Sequence, residues 1–150
     1  MPSADEPVVA VIPNVSLKNG PVGFKARRHS LVLTDHRVIF ARLTKARLSE
    51  LNRLPKPGKK RLAQIGAKTD VLGLLTVQYL AMTPEDVLGE HEDNFAIDRA
   101  DILKVKIKFT GVEGDTTTES LSFKTADEVY SVILTSGSQT RRALREAGLL

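Results

Sequence analysis

The chain predicts an α+β fold built on antiparallel strands, and three stretches carry that prediction. The first is Ser30-Leu-Val-Leu-Thr-Asp-His-Arg-Val-Ile-Phe-Ala-Arg42, two apolar runs broken by a short polar turn. The second is Leu103 to Phe109, where Leu103, Val105, Ile107 and Phe109 alternate with Lys104, Lys106 and Lys108. That period is the one of a strand with one packed and one solvated face. The third is Thr44 to Asp93, rich in Ala, Leu, Lys, Arg and Gln and poor in β-branched residues until Val71, which favours helix. Strands, a helical middle, strands again and a terminal helix make an antiparallel α+β domain.

Each element has its own local reason. Val9, Val11, Val15 and Leu17 recur with period two as a first strand, in which Pro13 forces a bend or an edge position. Asn19-Gly20-Pro21 closes it. A second strand runs from Phe24 to Leu33 and a third from Val38 to Leu43. With Asp35-His36 as the turn, Leu33 falls opposite Val38, Leu31 opposite Phe40 and His29 opposite Arg42. Val32 and Ile39 make the other face of this hairpin apolar as well, so both faces need cover.

In the middle, one helix is expected around Lys45 to Arg53 and a longer one around Lys60 to Met82, split by Pro55-Lys-Pro57-Gly58. In the longer helix Leu62, Ile65, Leu72, Leu75, Tyr79 and Met82 share a face that Leu74 and Val77 widen. Thr83-Pro84-Glu85-Asp86 is a helix start, with Thr83 as cap, Pro84 in the first position and two carboxylates in the positive first turn. Gly89 is expected to end that helix. After the short apolar pair Phe95 and Ile97 comes the lysine-alternating strand, a turn over Gly111 to Asp115, and a strand from Thr117 to Phe123. Thr125-Ala-Asp-Glu128 reads as a capping box opening a helix in which Val129, Tyr130, Ile133 and Leu134 face the sheet. A basic segment from Thr140 to Ala147 continues it after Ser136-Gly137-Ser138 and ends at Gly148.

Composition bounds the rest. The 150 residues, 41% of them hydrophobic, make one ordinary domain over 1–150 with a core that needs no staples. There is no cysteine, so disulfide and thiolate chemistry are excluded and a reducing compartment fits. The start, with Asp5-Glu6-Pro7, has neither the basic segment nor the apolar core of a signal peptide, and a cytoplasmic location is expected. The apolar stretch from Val71 to Met82 is shorter than the ~20 residues a bilayer span needs. A net charge of +4 is compatible with anionic partners, although most chains of this balance are simply solvated.

The hairpin Ser30–Phe40, with Thr34 and Arg37 flanking its turn, resembles that of bacterial pleckstrin-homology-like domains related to GRAM domains. So do the later pattern Ile97-Asp-Arg-Ala-Asp101-Ile102-Leu-Lys-Val105, the strand ending at Phe123-Lys-Thr125 and the C-terminal helix. The resemblance covers the two ends of the chain and leaves 44–93 as a helical insertion between strands. It implies an antiparallel β-sandwich or barrel of seven strands in two nearly orthogonal sheets, closed at one end by the C-terminal helix. Five of those strands are clear; the Asn94 to Ile97 stretch and a break within Phe24 to Leu33 would supply the others. Family members generally act by binding, so the resemblance implies a non-enzymatic module.

Lys18, Lys25 and Arg27 are spaced similarly to the basic pattern by which some eukaryotic pleckstrin-homology domains grip inositol phosphates. Lys25 and Arg27 project to one face and could meet Lys18 from the neighbouring strand, with His29 and Arg42 on that same face. Lysine and arginine total 22 of the 150 residues, however, so such spacing arises easily on a solvated edge. His29, His36 and His91 are the only histidines and do not converge as zinc ligands, and the Glu90 to Asp93 cluster lacks the spacing of a calcium loop. No metal, cofactor, nucleophile–base arrangement or phosphate loop is expected. Lys104, Lys106, Lys108 and Arg141, Arg142, Arg145 supply charge, but aromatic residues are 5% of the chain and tryptophan is absent, which argues against a nucleic-acid stacking platform.

The expectation is a cytoplasmic binding module acting through protein contacts, either with another protein or by self-association. A peripheral module on anionic membrane, using Lys18, Lys25, Arg27, His29 and Arg42, is the alternative. The excess apolar surface of the long helix, at Leu72, Leu75 and Tyr79, either lids the open side of the hairpin or forms an interface with a second copy.

Overall fold

The computed structural model describes residues 6–17, 27–54, 70–113, 116–135 and 138–149. Seven strands lie in one antiparallel sheet: β1 (Val8–Leu17), β2 (Arg27–Thr34), β3 (Arg37–Arg42), β4 (Phe95–Asp98), β5 (Lys104–Glu113), β6 (Thr116–Lys124) and β7 (Val129–Thr135). Their order across the sheet is β4-β3-β2-β1-β7-β6-β5. Helices α1 (Lys45–Asn52), α2 (Asp70–Leu80) and α3 (Pro84–Gly89) are inserted between β3 and β4, and α4 (Ser138–Glu146) follows β7.

The sheet curls on itself. Phe40 on β3 and Phe123 on β6 lie four places apart in the order, a separation of roughly 19 Å in a flat sheet. Their rings nevertheless meet edge-on with centroids 6.1 Å apart. The inner face thus encloses a core of Ile12, Val15, Leu17, Leu31, Leu33, Val38, Phe40, Leu121, Phe123 and Val132, with Val105 and Ile107 packed against it. Ala143, Leu144 and Ala147 belong to the same core and bring in the C-terminal helix.

The hairpin pairs in the expected register, Leu33 with Val38, Leu31 with Phe40 and His29 with Arg42. Its second face is also buried. Val32, Ile39 and Ala41 join Val8, Val11, Leu43, Leu51, Leu74, Leu75, Tyr79 and Val87 in a separate outer core. The insertion is therefore an intramolecular lid, and Leu75 and Tyr79, expected as a possible interface with a second copy, are fully covered by their own chain. Leu72 is half-buried on the same helix. Leu62 and Ile65 lie outside the described residues.

Two helix starts in the lid are capped, and the helix beginning at Pro84 ends at Gly89 as expected; Pro55 to Gly58 and the expected start of the longer helix at Lys60 lie outside the described residues. Thr44 accepts a hydrogen bond from the Arg47 amide at 3.1 Å and Thr83 one from Asp86 at 3.2 Å, each satisfying a donor that the first turn leaves unpaired. At the other end of the chain, Gly148 takes a left-handed φ of 75°, and its amide and that of Leu149 return to the Arg145 and Leu144 carbonyls.

Three expectations are corrected. The Thr125–Glu128 capping box opens no helix: the Glu128 amide does donate to Thr125 Oγ1, at 3.2 Å, but the bond closes the turn between β6 and β7. Val129 to Thr135 is dominated by β-branched and aromatic residues, and pairing with β6 along its length and with β1 at Val132 and Ile133 outweighs the local helix signal. Tyr130, Val132 and Leu134 turn inward, and Val129 is exposed. This strand completes the seven; β2 is continuous from Arg27 to Thr34, and Phe24 to Ala26 lie outside the described residues.

In β1 the simple period two fails at two irregularities, between Val8 and Ala10 and between Ile12 and Val15. Pro13 and Asn14, the latter at φ 60°, fall in the second of these, where a missing N–H costs no ladder bond. Val11 accordingly faces the lid while Val15 and Leu17 face the inner core. Finally, β5 runs on through a register shift between Phe109 and Gly111 to Glu113, where a turn was expected, and Leu103 and Phe109 are exposed rather than packed.

Truncation on either face of the hairpin tests this two-core arrangement. Phe40→Ala should cost about 3–5 kcal/mol and Leu75→Ala about 2–5 kcal/mol in denaturant titrations. Both variants should stay monodisperse in light scattering if the wild-type chain does, because Leu75 serves the chain's own core; release of a folded monomer from an oligomer by Leu75→Ala would contradict the lid.

Candidate functional site

Three regions gather side chains with chemistry: the end of the β2–β3 hairpin remote from its turn, the lid, and the edge of β5. At the hairpin end, the antiparallel pairing that sets His29 opposite Arg42 also places Arg27, His29 and Arg42 on the inward-facing side of their strands. Arg27 forms an ion pair of 3.2 Å with Asp93, from the loop before β4. Arg42 donates from its guanidinium to the Arg28 and Leu43 carbonyls at 3.1 and 3.4 Å, and its amide donates to Asn94 Oδ1 at 2.7 Å. Asn94 in turn donates to the Val87 carbonyl at 2.7 Å, tying this corner to α3.

His29 corrects its expectation. The alternation predicts a place on a solvated basic face, yet the residue is only 2% exposed. The reason is that the aromatic core reaches this far: its ring stands edge-on to Phe40 and Phe95, at 6.5 and 6.4 Å, and those two rings stack on each other at 4.6 Å. Nδ1 donates to the Arg27 carbonyl at 3.2 Å. Burial, opposed in part by that hydrogen bond, holds the imidazole below its ordinary pKa of 6.5. Lys18 and Lys25 lie outside the described residues, so the structure unites three of the five basic-site residues. Both arginines among them already have partners within the chain, and the histidine is enclosed.

The lid carries a part-buried polar cluster around the enclosed Tyr79 that no local pattern in the sequence predicts. Tyr79 donates from its hydroxyl to Glu90 Oε1 at 2.6 Å, Arg47 pairs with Glu90 Oε2 at 3.4 Å, and Arg47 also donates to Gln78 Oε1 at 2.6 Å. Burial and the neighbouring Glu90 carboxylate push the Tyr79 phenol up, so it remains a donor throughout the physiological range. These contacts lock α1 and α2 to the segment after α3. Among the described residues, no three of His, Asp and Glu converge as metal ligands.

At the free edge of β5 the situation is reversed. Lys104, Lys106 and Lys108 are exposed, and none of them forms an ion pair among the described residues. Lys104 stands directly opposite Lys124 in the β5–β6 ladder. Leu103, Phe109 and Val112 are 67%, 60% and 61% exposed. The lysines were legible in the sequence as a stripe. The apolar exposure was not, because alternation alone does not tell where the enclosing sheet ends.

Comparison with family models, with curated proteins and with solved structures finds no match to this chain.

The buried imidazole gives a pH signature. A folded-state pKa below the unfolded one means that the unfolded chain binds more protons, so the contribution of His29 is fully present above 6.5 and lost as the pH falls below it through the folded value. Urea melts should therefore show stability declining from pH about 7 to about 5, with a shallower slope in His29→Phe. An unchanged slope would place the ring's titration in solvent.

Proposed function

We propose that this chain is a non-enzymatic, pleckstrin-homology-like binding module that works in the cytoplasm through protein contacts. The single observation that carries the reading is the exposure of Leu103, Phe109 and Val112 on and beside one edge strand. Phe109 and Val112 stand near one end of β5 and Leu103 roughly 20 Å away at the other, and large apolar side chains left in water along an edge strand are characteristic of surfaces that another protein covers. Seven antiparallel strands, an insertion between β3 and β4 and a helix after β7 agree with the family resemblance of the sequence. No described helix is long and apolar enough to cross a membrane.

The anionic-membrane alternative draws less support. A lipid phosphate at the hairpin end would have to compete with Asp93 for Arg27 and with two backbone carbonyls for Arg42. That competition removes part of the gain from each new contact.

Phe109→Ser with Val112→Ser decides between the two. Both side chains are mostly exposed, so the double variant should melt within a few degrees of the wild type. Chemical cross-linking in lysate of the source cells should yield a discrete protein adduct with the native chain and lose it with the variant. Salt-sensitive sedimentation with phosphatidylserine vesicles, abolished by Arg27→Glu and without any adduct, would overturn the protein-contact reading in favour of lipid.

A further inference from the structure

We propose that the free edge of β5 accepts an extended, acidic segment of a partner protein as an eighth strand, which deepens the protein-contact reading above and rests on it. The sheet order leaves β4 and β5 as its two edges. β4 has 4 residues, while β5 has 10 and, among the described residues, pairs with β6 alone. Beyond that ladder, none of the main-chain hydrogen bonds among the described residues involves 104–113. A strand of this length offers a row of backbone donors and acceptors to an incoming chain.

Charge selects the occupant. Lys104, Lys106 and Lys108 share the outer face, and successive members stand about 6.6–7 Å apart, the repeat of every second residue in any extended chain. A strand laid against β5 therefore presents alternate side chains to them in step, and acidic residues at those positions supply the counter-charges that are absent. The Lys104–Lys124 juxtaposition, a like-charge pair directly across the ladder, is relieved by the same partner. A second copy of this chain is a poor occupant: antiparallel pairing of two β5 edges brings lysine stripe against lysine stripe.

The opposite face of the incoming strand should be apolar. Val112 pairs with Thr117 and Phe109 with Glu119, positions of β6 that alternate with the outward Ser120 and Ser122, so Phe109 and Val112 project on the side away from the lysines. Leu103 has the same parity. The matching segment alternates acidic and apolar residues.

Three labelled peptides as long as β5 test this against the intact chain: alternating Glu and Val, the same peptide N-methylated at every residue, and alternating Lys and Val. The second has the charge and side chains of the first but no amide donor on either edge, so it cannot extend a ladder. The Glu–Val peptide should bind about tenfold or more tighter than either of the others, and should slow amide hydrogen exchange in 104–113. Lys104→Glu with Lys106→Glu and Lys108→Glu should reverse the preference towards Lys–Val. Equal binding of Glu–Val and its N-methylated form would reduce the edge to a simple polyanion site and overturn strand addition. Protection appearing on α2 or at Arg27 instead of β5, or no Glu–Val binding at all, would overturn it as well. In those cases the Phe109→Ser/Val112→Ser cross-linking result still decides the broader reading separately. Should the triple variant not fold, the exchange measurement on the wild-type chain remains decisive.

Discussion

The β2–β3 hairpin has no side that can face water. Leu31, Leu33, Val38 and Phe40 on one face and Val32 and Ile39 on the other are all fully buried, and each such side chain gains about 1.5–3 kcal/mol on leaving solvent. Two covers are therefore required. The inner face is covered because the sheet curls until β6 and β7 come over β2 and β3, with α4 filling the remaining side. The outer face is covered by α1–α3, which pack as a lid over Val32, Ile39 and Ala41. The long insertion and the curvature of the sheet are two answers to one constraint.

Polar contacts then fix the covers in place at both ends of the hairpin. At the turn, Thr34 Oγ1 accepts from the His36 and Arg37 amides and donates to Glu6 at 2.6 Å, while Arg37 grips both oxygens of Glu6 and reaches Glu85 on α3. The Arg37 guanidinium holds the Glu6 carboxyl below its ordinary range against the opposing effect of burial. Arg99 joins the Thr34 carbonyl to the Ala147 and Gly148 carbonyls that end α4, neutralising the exposed negative end of that helix. Arg141 on α4 makes a two-bond contact to the buried Glu119 of β6. At the other end, Arg27–Asp93 and Arg42–Asn94 secure the loop that leads into β4.

Against this background the lysines of β5 stand out physically. Glu6, Arg37, Arg99, Glu119 and Arg141 are all spent on holding elements together, and the arginines of the hairpin end are as well. Among the described residues, by contrast, β5 is bonded through its main chain on the β6 side alone, and Lys104, Lys106 and Lys108 form no ion pair. Rigid elements with unspent valences are where recognition costs least, since little conformational entropy remains to be lost on binding.

What could be read from the sequence is what depends on neighbours a few residues away. The hairpin register follows from a two-residue turn and strict alternation; the α3 start follows from Thr83-Pro84-Glu85-Asp86; the end of α4 follows from a glycine free to adopt a positive φ. The inner core of Leu31, Leu33, Val38, Phe40, Leu121 and Phe123 was legible for the same reason. Tertiary structure alone decided the rest. Thr125–Glu128 makes the same side-chain bond whether it opens a helix or closes a turn, and only the vacant edges of β6 and β1 turn Val129–Thr135 into a strand. His29 lies beside two arginines in the chain, yet rings from β3 and β4 determine that it is enclosed. Phe109 continues the alternation that buries Ile107, but the enclosing sheet stops before reaching it. In each case the local pattern permits two outcomes of similar energy, and a partner distant in the chain selects one.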